Sequence, residues 1–409
     1  MSYRTGATGL TRDLNRAAIL RLIGLSGPIA RTSIAKRLGL SPATVTSITR
    51  ELIESGIVRT ADRAPSRGGR PALLLEIVSR SAHAFGVKIA PDHLVGVVVD
   101  LDGDVIEQFE ARLDLTAAHG FDAAVAVLRG WLDEAAAETP LLGVGLGVPG
   151  VVDSSSGRVT SPLIGWSDFA LRDALQQELG IAVLVDNDVN TLATAERLYG
   201  RGRDVEDFIT LTLGRGVGLG IVANGDIYHG HGGGAGEFGH VTAVVDGPVC
   251  SCGKRGCLEA VIGDPALVAI ARGDGTIGKR HGIAALRRQA DAGDADARAI
   301  FAEAATVLGQ AVANLVNVLS PKLILVSGEG AQAWAHYEEA FGRSLQTHVF
   351  PPLRGVTVEV DPWDDAKWAV GAASLVLRTT FTPLVDGTQH ELAMRAWARP
   401  DSQATEVVA

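Results

Sequence analysis

The hydrophobic pattern of the chain changes period near residue 80, and this change constrains the fold more than any other feature. Before it, apolar residues recur at helical spacing in short stretches. Leu14, Ala17, Ala18, Leu22 and Leu25 mark a helix from Asp13 to Leu25, stopped by Ser26-Gly27-Pro28. Thr32 is the expected cap of a second helix, Ser33 to Leu38, closed by Gly39. Ser41-Pro42 starts a third, a capping hydroxyl followed by proline at the first helical position. It is expected to run to Ser55, with Gly56 as its stop. Ile57–Thr60 and Ala72–Val78 read as two strands around a basic loop. After Ala82, strand-like runs (Ala84–Ile89, Leu94–Asp100, Leu141–Val148, Ala182–Val185, Phe208–Leu213, Gly218–Val222, Leu323–Ser327) alternate with helical ones, including Ala295–Leu319 and Ala366–Arg378. Such alternation is α/β organisation. It divides the chain into a head at residues 1–80, an α/β body at 81–380 and a tail at 381–409.

Charge follows the same division. The head carries 13 Lys or Arg against five Asp or Glu; the remainder carries 24 against 42. A basic head on an acidic body points to a head that meets a polyanion, with a merely solvated basic domain as the plain alternative. On the third helix, Val45, Ile48 and Leu52 form an apolar stripe, leaving Thr44, Ser47 and Arg50 on a face that reads as neutral to basic. Short hydroxyls and an Arg suit a helix that enters a major groove and contacts base edges with its N-terminal residues. Ser41, Thr44, Ser47 and Arg50 are therefore candidate contacts to double-stranded DNA. Arg67 and Arg70, in the loop between the two strands, are candidates for phosphates or a minor groove. A helix-turn-helix used only for protein contacts is the alternative. No apolar run reaches the ~20 residues that span a bilayer, and the first 14 residues lack the apolar core of a signal peptide. The expected location is the cytoplasm, with no membrane partner.

All three cysteines lie within Cys250–Cys257, ten residues beyond His240. One His and three Cys (His240, Cys250, Cys252, Cys257) fill a tetrahedral Zn2+ shell, and a closed shell is structural, with no open position for a water nucleophile. Gly253 and Gly256 let the chain fold back on itself. Three free thiols that happen to be close are the alternative. The run Gly214-Arg215-Gly216-Val217-Gly218-Leu219-Gly220 is not a dinucleotide fingerprint, because a strand and not a helix follows it. Asp186-Asn187-Asp188 ends a strand and opens a helix. Asn187 and Asp188 could bind a polyol, or Asp186 or Asp188 could simply cap the helix.

Together these motifs resemble the ROK family of repressors, open reading frames and kinases. The matching pieces are Glu237–His240, Cys250–Glu259, Asp186–Asn190, Gly147-Val148-Pro149-Gly150 and the glycine run from Gly214. The resemblance implies an α/β chain: an N-terminal winged helix-turn-helix, then a two-lobed actin-like (sugar kinase/ribonuclease H-like) ATPase fold with the sugar between the lobes. It also implies a homodimer or homotetramer. By position, Asn187, Asp188, Glu237, His240 and Glu259 would face the sugar, and Asp188 matches the general base of family kinases. The kinase pattern fails where phosphate would bind. Family kinases carry Asp-x-Gly-Gly-Thr; here Lys88-Ile89-Ala90-Pro91-Asp92 stands there, and Arg215 replaces a Thr of the second phosphate loop. Leu163 occupies a place where sugar-binding members carry Asn. The expectation is a non-enzymatic, sugar-controlled repressor acting on a near-palindromic operator. An active ATP-dependent sugar kinase with an accessory head, or a regulator controlled by a partner protein, are the alternatives.

Overall fold

The computed structural model describes residues 7–63, 73–135, 139–361 and 364–380. These fall into two compact units. One takes the chain up to Thr191 and resumes at Trp368; the other is Leu192–Lys367.

The first unit opens with α1 (Ala7–Ser26), β1 (Ile29–Ala30), α2 (Arg31–Leu38), α3 (Pro42–Glu54), β2 (Val58–Arg63) and β3 (Leu73–Ile77). The strands form an antiparallel sheet in the order β1-β3-β2, so the head is a winged helix-turn-helix. Its core is Ile19, Leu20, Ile34, Ile48, Leu52 and Leu75, all fully buried. The inward face of α1 is offset from the expected one. Ala17, Leu20 and Ile23 are buried, whereas Leu14, Ala18 and Leu22 are only partly covered. Thr32 is not the cap of α2: strand β1 runs directly into that helix, and its N-cap is Ala30, with no side-chain cap. Arg67, Arg70 and the tail at 381–409 lie outside the described residues.

The same unit continues with β4 (His83–Ile89), β5 (His93–Val99), β6 (Val105–Arg112), α4 (Gly120–Ala135), β7 (Leu141–Val148), β8 (Val151–Asp153), β9 (Arg158–Ser161), β10 (Trp166–Phe169), α5 (Leu171–Leu179) and β11 (Val183–Asn187). Next comes α6 (Asp188–Leu198), within which the units divide. The five-stranded sheet has the order β11-β7-β4-β5-β6; β4, β7 and β11 run parallel, and β5 pairs antiparallel with both β4 and β6.

The second unit contains β12 (Phe208–Leu213), β13 (Val217–Ala223), β14 (Asp226–Ile227), α7 (Leu258–Ile262), α8 (Asp264–Gly273), α9 (Ile283–Asp291), α10 (Ala295–Leu319), β15 (Leu323–Ser327), α11 (Trp334–His348) and β16 (Thr357–Val360). Its sheet order is β14-β13-β12-β15-β16, again with an antiparallel meander of three strands and two parallel additions. The two sheets thus repeat one topology, the duplication expected of an actin-like fold. The closing helix α12 (Asp365–Thr380) returns the chain to the first unit. It lies flush on that sheet because β4 and β7 offer glycine there. A Cβ on Gly86 would stand 2.0 Å from the Ala369 carbonyl oxygen, and one on Gly145 1.8 Å from that of Ala372.

Among the described residues one helix, α10, meets the length and composition of a membrane span. It holds no unbroken apolar run of that length, since Asp296, Arg298 and Glu303 interrupt it. It is a core helix: Phe301, Leu308 and Val312 are buried, and Ser344 of α11 donates to the Thr306 carbonyl at 2.7 Å.

Candidate functional site

The cysteine segment builds a compact knuckle. Cys250 N–H donates to the Lys254 carbonyl at 2.8 Å, Gly256 N–H to Pro248 O at 2.8 Å, and Leu258 N–H to Val241 O at 2.9 Å. Gly256 has φ +71°, and a Cβ there would meet the Val244 carbonyl oxygen at 1.7 Å. The fold-back therefore requires glycine. It brings the ligand atoms of His240, Cys250, Cys252 and Cys257 within 4.8 Å of one another. Cys250 Sγ lies 3.6 Å from His240 Nδ1, and Cys252 Sγ lies 3.6 Å from Cys257 Sγ. A tetrahedron with ~2.3 Å metal–sulfur bonds has edges of ~3.8 Å, so the donor set fits a zinc-sized cation. Burial, with the neighbouring Cys252 and Cys250 sulfurs adding to it, pushes the Cys257 thiol up to about 11. A divalent cation relieves that resistance to ionisation.

The knuckle is continuous with the carboxylates named above. His240 ends a 3-10 turn, Phe238–His240, and its Nε2 lies 3.9 Å from Glu237 Oε2. Glu259 sits in the first turn of α7, directly after Cys257, and its Oε2 accepts from Val217 N–H at 3.2 Å. A Cβ on Gly216 would stand 2.6 Å from the same oxygen. The glycine run is thus a tight β12–β13 turn against which Glu259 rests, and a strand does follow it. Arg215, within it, is exposed.

In the first unit, Asn187 ends β11 and caps α6. Its Oδ1 accepts from Val189 N–H at 2.8 Å and Asn190 N–H at 3.2 Å, and its Nδ2 donates to Gly150 O at 2.9 Å. Capping falls chiefly to Asn187; Asp188 adds one bond from Val189 N–H at 2.9 Å. Asp186 is buried and braces the turn, accepting from Asn187 N–H at 2.7 Å and Asn190 Nδ2 at 3.1 Å. Leu163 is 53% exposed in the β9–β10 turn.

The Lys88–Asp92 segment is a closed hairpin turn. Ala90 N–H donates to His93 O at 3.0 Å, and the Pro91 and Asp92 carbonyls accept from Leu115 and Leu113. The ammonium of Lys88 lies 4.9 Å above the Trp368 ring. Ala90 N–H is committed and Pro91 has none, so neither residue offers an amide to a phosphate here.

In the head, Ser41 caps α3: its Oγ accepts from Thr44 N–H at 3.1 Å and shares a 2.8 Å hydrogen bond with Thr44 Oγ1. Val45, Ile48 and Leu52 are buried as the stripe predicts, and Arg50 is exposed. The outer face is less basic than it reads in sequence, because Glu51 lies one turn beyond Ser47. Arg12 of α1 donates to Ser47 Oγ at 3.4 Å and pairs with Glu51. No local spacing could have disclosed a contact between residues so far apart.

Residues 84–379 match the ROK family, and residues 12–59 match the family described as winged helix-turn-helix DNA-binding. The chain is 31% identical over 405 residues to the DNA-binding transcriptional dual regulator NagC of Escherichia coli K12, covering 95% of this chain and 97% of that protein. It is 28% identical over 386 residues to the xylose repressor of Caldicellulosiruptor bescii, covering 90% and 96%. Its fold matches the crystal structure of a ROK family transcriptional regulator homologous to E. coli MLC, with a TM-score of 0.82 at 24% identity over 95% of this chain and 99% of that one.

Proposed function

The chain belongs to the ROK family, and from that premise we propose that it is a DNA-binding transcriptional repressor controlled by a sugar or sugar derivative. The observation that carries this reading is the pairing of a winged helix-turn-helix with a ROK body whose first phosphate turn is closed upon itself. Ser41, Thr44, Ser47 and Arg50, joined by Arg67 and Arg70, are the proposed DNA contacts. Asn187, Asp188, Glu237, His240 and Glu259 are the proposed sugar contacts.

The cofactor is one structural Zn2+ held by His240, Cys250, Cys252 and Cys257. When bound, it ties together the segment that carries Glu237 and Glu259. His240 serves both sites, with Nδ1 toward the metal and Nε2 left for a hydroxyl. The protein acts in the cytoplasm as a homodimer or homotetramer, placing two α3 helices in successive major grooves of a near-palindrome. The exposed Leu163, standing where sugar-binding relatives carry Asn, favours a second reading in which a partner protein delivers the signal.

The test is an anisotropy titration against the DNA upstream of the protein's own reading frame, repeated with a panel of monosaccharides. Salt-sensitive, sequence-selective binding that one sugar weakens is the expected result. Binding that no sugar changes but a partner fraction does would support the second reading, and sugar-dependent ADP production would reinstate a kinase.

A further inference from the structure

Taken by itself, the helix assigned to the major groove has the wrong charge. Within Pro42–Glu54 the only cation is Arg50, while Glu51 and Glu54 are both acidic, for a net charge of −1. Glu51 is one turn from Ser47, on the flank of the buried Val45-Ile48-Leu52 stripe and partly exposed. A bare carboxylate there would face the phosphates of any duplex that Ser47 and Arg50 approach. The structure supplies a counter-charge from another element. Arg12, on α1, reaches across Ser47 and pairs with Glu51, with side chains 50% and 34% exposed. Exposed pairs of this kind contribute little to folding, so stability does not account for it.

We propose that Arg12 is part of the DNA-reading surface, and that it masks the Glu51 carboxylate so that α3 can lie against a polyanion. The inference rests on the DNA-binding reading above. Its chemistry is specific: Arg12 is spent on Glu51 and is not itself a phosphate contact. Removing the cation alone therefore exposes an anion to DNA, whereas removing both charges leaves the surface as it was.

The experiment compares full-length wild type, Arg12→Ala, Glu51→Gln, the double variant and Arg50→Ala. Binding is followed by anisotropy to a random-sequence duplex and to the protein's own upstream region, over a range of salt. Arg12→Ala is expected to weaken binding to both duplexes roughly tenfold, less than the full cost of a desolvated like-charge juxtaposition because the Glu51 carboxylate is partly exposed and screened by salt. The double variant should return to within about twofold of wild type with an unchanged salt dependence, since no phosphate contact is lost. Melting curves check that each variant folds, and Arg12→Gln repeats the test should alanine prove disruptive.

A double variant as weak as Arg12→Ala, with a salt slope lower by about 1, would make Arg12 a direct phosphate contact and overturn the mask. An Arg12→Ala variant that binds like wild type while Arg50→Ala is weakened would remove the inference and leave the DNA-binding reading standing. A wild-type protein without salt-sensitive binding would overturn both.

Discussion

Cys252 is the exposed member of the cysteine set, with Cys250 and Cys257 buried beneath it. Replacing it by serine keeps the volume but removes one of the four donor atoms of the proposed zinc shell, which lie within 4.8 Å of one another. Zinc content should fall from about one per chain to near zero by metal analysis, with a lower melting temperature, since structural zinc contributes folding energy directly. A variant that kept its full zinc complement would show that the ligand set is wrong. A second residue had no signal in the sequence. Burial, reinforced by the Glu329 carboxylate and opposed by Arg287, pushes Asp264 up from an ordinary 3.8 to about 6. Between those values the folded chain holds a proton that the unfolded chain has lost, so this group's contribution to stability falls as pH rises through the window and stays unfavourable above it. Asp264→Asn should raise the melting temperature by a few degrees at pH 7.5, with the gain disappearing toward pH 4. An equal gain at both would mean that the carboxylate is not strained in the fold. Cys250–Cys257 was legible because four soft ligands crowd one short window. Asp264 was not, because its neighbours come from α9 and the segment after β15.

At the scale of elements, ends were legible where a side chain makes them. Ser41-Pro42 opens α3 as expected, and Asp294 opens α10 by accepting from Ala297 N–H at 2.8 Å. Thr32 misled because the chain enters α2 from a strand paired with β3, and that entry is a tertiary fact. Asn187, not its acidic neighbours, carries most of the α6 cap because its amide can also bond Gly150 O, 37 residues away. Strand order was equally hidden. The repeated topology of the two sheets has no counterpart in sequence periodicity, because pairing partners such as β12 and β15 lie more than 100 residues apart. The Ser41 cap permits a test. Ser41→Ala should cost ~1 kcal/mol of stability in the head, the usual worth of such a cap, and should weaken DNA binding by loosening the first turn of α3. Because Gly is a tolerated cap residue, Ser41→Gly should recover most of the stability. If alanine and glycine proved equally destabilising, the hydroxyl would be acting through something other than the cap.

At the scale of the whole molecule, the head is joined to the α/β body by more than the chain itself. Leu101 N–H, at the end of β5, donates to Ser79 O at 2.9 Å, and Ser79 Oγ pairs with the Asp102 carboxylate. The turn between β5 and β6 is thereby tied to the residues leaving β3. Such a tie lets a change in the body bias the head, but a sugar can release DNA only if it binds the DNA-free state more tightly than the DNA-bound one. Linkage then makes the effect reciprocal: whatever factor the sugar takes from DNA affinity, DNA must take from sugar affinity, typically 5–150-fold for ~1–3 kcal/mol of coupling. Calorimetry with the monosaccharide selected by the anisotropy panel, run with and without saturating upstream duplex, measures that second factor directly. The two factors should agree within error, and Ser79→Ala should shrink both together while leaving sugar affinity without DNA unchanged. A sugar that released DNA yet bound equally well to the DNA complex would be competing for the DNA surface itself, and the body would then be no sensor.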